Sequence, residues 1–299
     1  MESKINKIIS VETEERIERG EVPRSKVAKY YRLLERIEKE MMPHPVITDN
    51  RFTAWFREGD FDREDLRHFL VQFSVFSNWF IEAQLRKTLN APTLEAMRAS
   101  KEILMNELGV AFKSKTSKGQ GIKDDLNPDI TIQTEGSIEG GTFRFQAAHF
   151  EWLLRMTAQV GLEFADIGKR RHGTSSTLFF CDELARIYGS DDGDQALGAS
   201  FSVENWAAAG FWKELIQGLE VFKKRECPNL PLAFFLWHDR VEDQHAAHTW
   251  HELEEEYFAS DIDEDKFIAA AKEMLNGVNA FWVGLDEDRR KRKNVQKRA

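Results

Sequence analysis

The sequence is poor in cysteine and proline, and it has no long apolar run. Its 299 residues include two cysteines, Cys181 and Cys227, too few for a disulfide framework, so we expect reduced thiols and a cytoplasmic location. The longest apolar run, 230–237, is far shorter than the roughly 20 residues that a membrane-spanning helix needs. The polar start of the chain shows no secretory signal. These features disfavour a secreted disulfide-rich domain and a membrane protein.

Positive charge is concentrated at the carboxyl end of an otherwise acidic chain. The net charge is −9, and seven positive charges lie in the last eleven residues: Arg289, Arg290, Lys291, Arg292, Lys293, Lys297 and Arg298. Without them, 35 basic residues face 51 acidic ones. Because phosphate binding needs a basic face, the acidic body argues against a nucleic-acid partner. We interpret 289–299 as a frayed, solvated basic tail.

Apolar residues recur at steps of three and four residues, which is typical of amphipathic helices. The pattern predicts helices over 66–80, 94–108, 146–165, 178–187, 196–224, 231–258 and 266–285. No series of alternating polar and apolar residues is evident. The sequence therefore predicts an all-α fold with one helical domain over 1–288.

The stretch 111–145 breaks the helical pattern, because it contains five glycines together with many lysines and serines. Two segments within it, Ile130–Thr134 and Thr142–Phe145, are predicted to pair as a small β-hairpin. A loop of this length inside a domain is usually functional or disordered. We interpret it as an insertion between two core helices, and a lid over a site is one hypothesis.

The helix predicted over 231–258 carries His238, Glu242 and His245, spaced as His-x3-Glu-x2-His. At about 100° per residue, all three share one narrow face, which continues an apolar stripe toward the core. An unpaired carboxylate in the core costs several kcal/mol, whereas two imidazoles beside it supply a set of metal ligands. The alternative interpretation is a solvated, histidine-rich face.

Three further residues are weaker candidates when each is taken alone. Glu204 lies within the apolar stripe of 196–224, where a core glutamate is usually paired with a lysine or arginine. Glu107 ends the helix predicted over 94–108, and His149 opens the helix after the insertion. Single residues in such positions are more often structural. Beside the His-x3-Glu-x2-His face, the balance moves toward metal binding.

Together these residues give three imidazoles and three carboxylates, a mixture that suits Fe(II) or Mn(II) rather than a structural zinc. The predicted catalytic metal ligands are Glu107, His149, Glu204, His238, Glu242 and His245. A ferritin-like bundle needs two Glu-x-x-His motifs, and only Glu242–His245 fits that spacing. The spacing therefore disfavours a ferritin-like fold.

Over about 66–258 the sequence resembles the haem-oxygenase-like diiron oxidases and oxygenases. The similarity lies in 69–76, in 106–109, in His149 before an aromatic and aliphatic run, in 198–204 and in 234–245. The resemblance implies a seven-helix bundle without haem that binds two Fe(II) per chain, with Mn as the alternative metal. It implies ligands from a Glu-x6-His motif, a glutamate of a central helix and a His-x3-Asp/Glu-x2-His motif.

Two departures from the family pattern affect this interpretation. A single short motif holds the first glutamate and histidine in the family, whereas 41 residues separate Glu107 from His149, so the insertion must loop out and return. Glu242 stands where aspartate is commoner. Glu82 and Glu102 stay open as substitutes for Glu107.

The resemblance implies that the protein activates O2 and oxidises a small organic metabolite in a biosynthetic pathway. The reactions it implies are N-oxygenation of an amine or guanidine and oxidative C–C cleavage of a fatty or amino acid. We expect a small-molecule substrate and O2 as partners, without nucleic acid or membrane. An external electron donor and a homodimeric state stay open.

Two alternatives compete with the diiron interpretation. One is a metal-free haem-oxygenase-like enzyme or binding protein for an organic cofactor, similar to the thiamine-salvage hydrolases or pyrroloquinoline-quinone synthase. The other is a helical interaction protein that uses the basic tail or the insertion. The basic segment 169–172 is interpreted as a surface turn rather than a carboxylate-binding site.

Overall fold

The fold consists of long helices and one small sheet. The computed structural model describes residues 9–111, 134–138, 141–145 and 149–296. The helices are α1 (Val11–Glu18), α2 (Arg24–Arg36), α3 (Pro45–Thr48), α4 (Arg51–Arg57), α5 (Arg63–Leu89), α6 (Leu94–Glu107), α7 (His149–Ala158), α8 (Ser175–Glu183), α9 (Gly193–Ala207), α10 (Phe211–Glu226), α11 (Ala233–Ala259) and α12 (Glu264–Gln296). The strands are β1 (Val110–Ala111), β2 (Thr134–Ile138) and β3 (Gly141–Phe145), in the order β1-β3-β2.

The predicted all-α class is confirmed, but two predicted helices differ from the structure. The helix predicted over 146–165 ends at Ala158, and Gly161 follows with a left-handed φ of 78°. The segment 196–224 forms two helices, α9 and α10, because Gly210 adopts a left-handed conformation with a φ of 101°. Glycine takes this conformation without the steric penalty of a Cβ atom. Across the break, the rings of Trp206 and Phe211 stack with centroids 4.6 Å apart. Their apolar spacing continues through the turn, which explains why the sequence pattern looks unbroken.

The core is built from aromatic side chains that pack around α12. Trp282 of α12 is 2% exposed, and its ring lies 5.6 Å from that of Phe52 and 5.5 Å from that of Phe211. Phe73 of α5 contacts the rings of both Trp282 and Trp212. Such rings bury large apolar areas and dominate the energetics of a core. The helices α4, α5, α9, α10 and α12 therefore share one aromatic core.

Close approach of α9 and α12 depends on a glycine. A Cβ atom placed on Gly198 would overlap the backbone carbonyl of Phe267, which belongs to α12. Backbone atoms move less easily than the ends of side chains, so the helices would have to separate. Gly198 therefore sets the distance between the helix that carries Glu204 and the longest helix of the fold.

We predict that Gly198→Ala destabilises the protein by about 1–3 kcal/mol, because the added methyl group overpacks the contact between the two helices. Gly193→Ala is the matched control at the start of the same helix, since the nearest atom to its Cβ lies 3.9 Å away. The free energies of unfolding in urea would be compared. Equal stabilities of the two variants would contradict the close-packing argument.

Where the sequence analysis expected a frayed basic tail, the structure continues α12 to Gln296. Arg292 forms an ion pair with Asp65 at 3.0 Å, and Asp65 lies in the first turn of α5. Arg289 and Arg290 pair with Asp286, one turn earlier in α12. These pairs explain the ordered helix, because the acidic partners offset the repulsion between the clustered cations.

The basic segment 169–172 is a surface turn, as predicted. It includes a short 3-10 helix over Arg170–His172. Arg170 forms an ion pair with Asp182 at 2.7 Å, and the ammonium of Lys169 lies 4.4 Å from the ring centre of Phe164. Over the part of the chain that the structure describes, no helix is long and apolar enough to cross a bilayer.

The two cysteines are both buried, Cys181 at 3% and Cys227 at 7% exposure. Burial raises the pKa of the Cys181 thiol to about 12. Since an unfolded thiol titrates near pH 8.5, deprotonation favours the unfolded chain, and the contribution of Cys181 to stability decreases as the pH rises above that value.

We predict that an aromatic disulfide reagent at pH 8 labels neither cysteine of the folded protein, because both thiols are shielded and Cys181 stays protonated. Both cysteines should react after unfolding in urea. The released chromophore would be measured against time. Rapid labelling of one equivalent in the native protein would show that one thiol is accessible.

Candidate metal centre

The small sheet joins the two ends of the insertion, because β1 follows α6, β3 precedes α7 and the two strands pair. β1 pairs antiparallel with β3, with Val110 opposite Phe145. β3 also pairs antiparallel with β2. The predicted second hairpin strand, 142–145, is confirmed within β3, whereas the first strand begins at Thr134 and residues 130–133 lie outside the described part of the chain. The chain therefore loops out after α6 and returns at α7.

Glu107 and His149 meet at this junction. Glu107 is the last residue of α6, and His149 is the first residue of α7. Oε2 of Glu107 lies 3.1 Å from Nδ1 of His149, and the two side chains are 13% and 11% exposed. Two neighbouring ligands at about 2.1 Å from one ion lie about 3 Å apart. The observed separation therefore suits a shared metal ion.

His238 of α11 completes a cluster of three. One ligand atom from each of Glu107, His149 and His238 lies within 4.8 Å of the other two. The ring centroids of His149 and His238 are 4.7 Å apart. The three residues come from α6, α7 and α11, so this cluster is a product of tertiary packing rather than of one motif.

The imidazole of His238 is held in a defined orientation. Its Nδ1 lies 2.7 Å from the carbonyl oxygen of Phe234, one turn earlier in α11. Because a carbonyl oxygen only accepts, Nδ1 carries the proton of the neutral ring and Nε2 keeps a lone pair for a metal. The ring also stacks on Trp212 at 4.7 Å and contacts Phe234 at 4.2 Å. Contacts of this kind would hold the imidazole in place if a metal bound there.

Glu204 is a buried carboxylate of α9, with 8% exposure. Burial raises the pKa of Tyr188, and the negative charges of Glu204 and Glu107 raise it further. Both carboxylates therefore act on one buried tyrosine. One turn before Glu204, Ser200 accepts a hydrogen bond of 2.6 Å from the ammonium of Lys87. The same ammonium lies 3.9 Å from a carboxylate oxygen of Glu252 in α11.

The sequence analysis missed a polar network of α5, α6 and the π-helical turn 184–188. The hydroxyl of Tyr188 donates to Oε1 of Gln84 at 2.6 Å, and Nε2 of Gln84 donates to Oγ of Ser100 at 2.8 Å. A signal was present, because Gln84 and Lys87 continue the apolar stripe beyond Phe80 at steps of four and three residues.

The remaining candidate ligands differ in how much of them the structure describes. Glu242 and His245 lie on α11, one and two turns beyond His238, and their side chains are outside the described residues. Of the substitutes for Glu107, Glu102 is exposed and Glu82 forms an ion pair with Arg86 at 2.8 Å. Glu107 is therefore the carboxylate that the structure places beside His149.

The donor set fits a divalent metal ion. It combines carboxylate oxygen with imidazole nitrogen, largely buried, at separations that one ion spans. Glu204 adds a buried negative charge on a neighbouring helix. A metal would replace the Glu107–His149 hydrogen bond with two coordinate bonds and would neutralise buried carboxylates.

We predict that Tyr188→Phe destabilises the protein by about 1–3 kcal/mol, because the buried Oε1 of Gln84 loses its donor. Tyr31→Phe is the control, since Tyr31 is 42% exposed. Free energies of unfolding in urea would be measured for both variants. An unchanged stability of Tyr188→Phe would show that this hydrogen bond does not contribute to the core.

Known structures with a similar fold support the assignment of the architecture. No protein-family model matches the sequence, and a search of curated proteins finds no match. A domain of unknown function with a haem-oxygenase-like fold from Shewanella denitrificans is 12% identical, with a TM-score of 0.56 over 90% of this chain and 94% of that one. A CADD-like protein of unknown function from Nostoc punctiforme is 14% identical, with a TM-score of 0.53 over 89% of this chain and 99% of that one. The predicted haem-oxygenase-like bundle is therefore confirmed as the fold of this chain.

Proposed function

We propose that this protein is a non-haem diiron oxidase or oxygenase that activates O2 to oxidise a small organic metabolite. The substrate class is an amino acid or amine derivative, which the enzyme N-oxygenates or cleaves at a C–C bond. The proposed ligands of two Fe(II), with Mn as the alternative metal, are Glu107, His149, Glu204, His238, Glu242 and His245.

The contact between Glu107 and His149 is the main support for this proposal. The insertion places 41 residues between Glu107 and His149, yet the two side chains lie 3.1 Å apart. One ligand atom of each also lies within 4.8 Å of one of His238. A core that needed only to satisfy a buried histidine would require one partner for it. A carboxylate and two imidazoles from three helices instead match the requirement of a metal.

Iron bound at these residues would supply the redox chemistry that O2 activation requires. The protein would contribute the position of the ligands and the exclusion of water. Phe234 fixes the His238 ring through its carbonyl oxygen, and Trp212 covers one face of that ring. Gln84 holds the buried hydroxyl of Tyr188, and burial together with the negative charges of Glu204 and Glu107 raises the pKa of this hydroxyl. The raised pKa keeps this phenol protonated, and its one O–H group donates to Gln84.

We predict that His238→Ala abolishes specific Fe(II) uptake or weakens it by at least about tenfold, because the site loses an oriented imidazole. Anaerobic titration of the metal-free protein with Fe(II), followed by iron analysis of the gel-filtered protein, measures the stoichiometry. The wild type should bind two irons per chain. His251→Ala is the matched control on α11, since His251 is 56% exposed and pairs with Glu255.

Mixing the iron-loaded protein with O2 tests the oxidase activity. Absorption spectra would be followed in the presence and absence of amino acids, amines and fatty acids. A compound that changes the rate of iron oxidation and is itself converted identifies the substrate class. No iron uptake by the wild type under any condition would overturn the proposal and favour a metal-free protein that binds an organic cofactor.

A further inference from the structure

A row of aromatic rings connects the candidate metal centre with the surface near the end of α12. The indole of Trp212, which stacks on His238, has its ring centroid 4.4 Å from that of Phe211. Phe211 lies 5.5 Å from Trp282. Trp282 is 5.6 Å from Phe52, and Phe52 is 5.4 Å from Trp55. Five ring contacts thus link a proposed ligand to a partly exposed tryptophan.

The buried tryptophans of this row have an unusual environment. Within the described residues, the indole nitrogens of Trp212 and Trp282 have no hydrogen-bond partner, and the same holds for Trp206 beside them. An indole can lose one electron to give a radical cation. With no acceptor near its N–H group, such a radical keeps its proton and regains the electron reversibly.

The outer end of the row lies under positive charge. The guanidinium of Arg289 is 4.2 Å from the ring centre of Trp55, and the ammonium of Lys293 is 5.3 Å from it. Cations over a ring are attracted to its electrons and repel a radical cation on it. Trp55 is therefore harder to oxidise while these cations are unscreened.

We infer that Trp212, Trp282 and Trp55 form an electron-transfer path between the metal centre and an anionic one-electron reductant. This inference rests on the proposed function. Iron oxidised by O2, if held by His238, would supply the oxidant. Trp212 would give up one electron to it, and the electron vacancy would move to Trp282 and then to Trp55. The reductant returns one electron to Trp55 and is itself oxidised by one electron. No bond between heavy atoms forms or breaks.

Trp55 is the entrance of the path, and the cations Arg289 and Lys293 make this entrance selective for an anionic reductant. An anionic reductant binds near Arg289 and Lys293. Its negative charge weakens the repulsion between these cations and a radical cation on Trp55, which otherwise keeps the electron vacancy on the buried tryptophans. The same contact thus positions the electron donor and makes Trp55 easier to oxidise. Arg289 also pairs with Asp286, so Lys293 is the cation to change in a test.

The path is tested with a photo-oxidant on the surface. Arg51 lies one turn before Trp55 on α4 and its side chain is 73% exposed, so Arg51→Cys offers a labelling site beside the entrance. A ruthenium polypyridyl complex attached there is excited by a flash and oxidised by an acceptor in the buffer. The native cysteines are buried and should not react with the label.

Two readouts follow the electron in the labelled protein. In the iron-loaded protein, electron paramagnetic resonance should show that the flash oxidises Fe(II) to Fe(III). In the metal-free protein, the tryptophan radical should move inward from Trp55, and ascorbate should reduce it only when it returns to Trp55, so that its decay is slowed but not abolished. We expect Trp55→Phe, Trp282→Phe and Trp212→Phe each to slow iron oxidation by about tenfold or more. In the metal-free protein, Trp282→Phe should shorten the radical lifetime by about the same factor.

Trp79→Phe is the matched control, because Trp79 also lies under an arginine, with Arg170 at 5.0 Å, but outside the row. Its rate should equal that of the wild type. Trp55→Phe keeps the test decisive if Trp282→Phe does not fold, since Trp55 is only partly buried. The iron content of each variant would be measured, so that altered rates are not confused with lost metal.

The charge of the entrance is tested with ascorbate, which is a monoanion at neutral pH. Lys293→Glu should lower the rate at which ascorbate reduces the radical at Trp55, and added salt should reduce the difference between the proteins. Equal rates would overturn the anionic reductant as the partner.

The outcomes separate this inference from the proposed function. Iron uptake with unchanged photo-oxidation in all three row variants would overturn the path and leave the function standing. No iron uptake would overturn the function, and the radical lifetimes of the metal-free protein would still decide whether the row conducts. A radical that stays at Trp55 in the wild type would overturn the path in either case.

Discussion

The pairing of β1 with β3 is the constraint on which the candidate metal centre depends. Glu107 and His149 belong to different helices, and their positions in the sequence do not require them to be neighbours. The pairing of Val110 with Phe145 brings the segment that leaves α6 next to the segment that leads into α7. The end of α6 therefore lies beside the start of α7. The 3.1 Å contact of Glu107 with His149 follows from that pairing. An insertion that enters and leaves through adjacent strands can vary in length without moving Glu107 and His149.

The second constraint is the burial of negative charge in an aromatic core. Glu204 is almost fully buried, and Glu107 and His149 are nearly so. An unpaired charge in such surroundings costs free energy because it loses its hydration. Several polar side chains lie on the same helices and in the same core. Lys87 lies near Ser200 of the same helix as Glu204, and Tyr188 is held through Gln84. A divalent metal at the proposed site would offset the charge of these carboxylates.

The long helix α12 links the two ends of the molecule. At one end it meets α9 closely because Gly198 lacks a side chain. In the middle, Trp282 joins the rings of α4 with those of α10. At the other end its cations bind Asp65 and cover Trp55. The helix thus places a charged surface and a buried centre on one row of aromatic contacts, although no single sequence motif contains both.

The amino-acid pattern was sufficient to predict the helical class, most helix positions and the face that carries His238. These follow from periodicity and local chemistry, which short segments contain in full. Local pattern could not show the break at Gly210, because apolar spacing continues through it, nor the ordered end of α12, because Asp65 is distant in sequence. It also could not decide between Glu107, Glu102 and Glu82, since that choice depends on where the insertion returns. These features depend on tertiary structure. Strand pairing, ion pairs and helix contacts join residues that are far apart in the sequence, and their distance in space does not follow from their spacing along the chain.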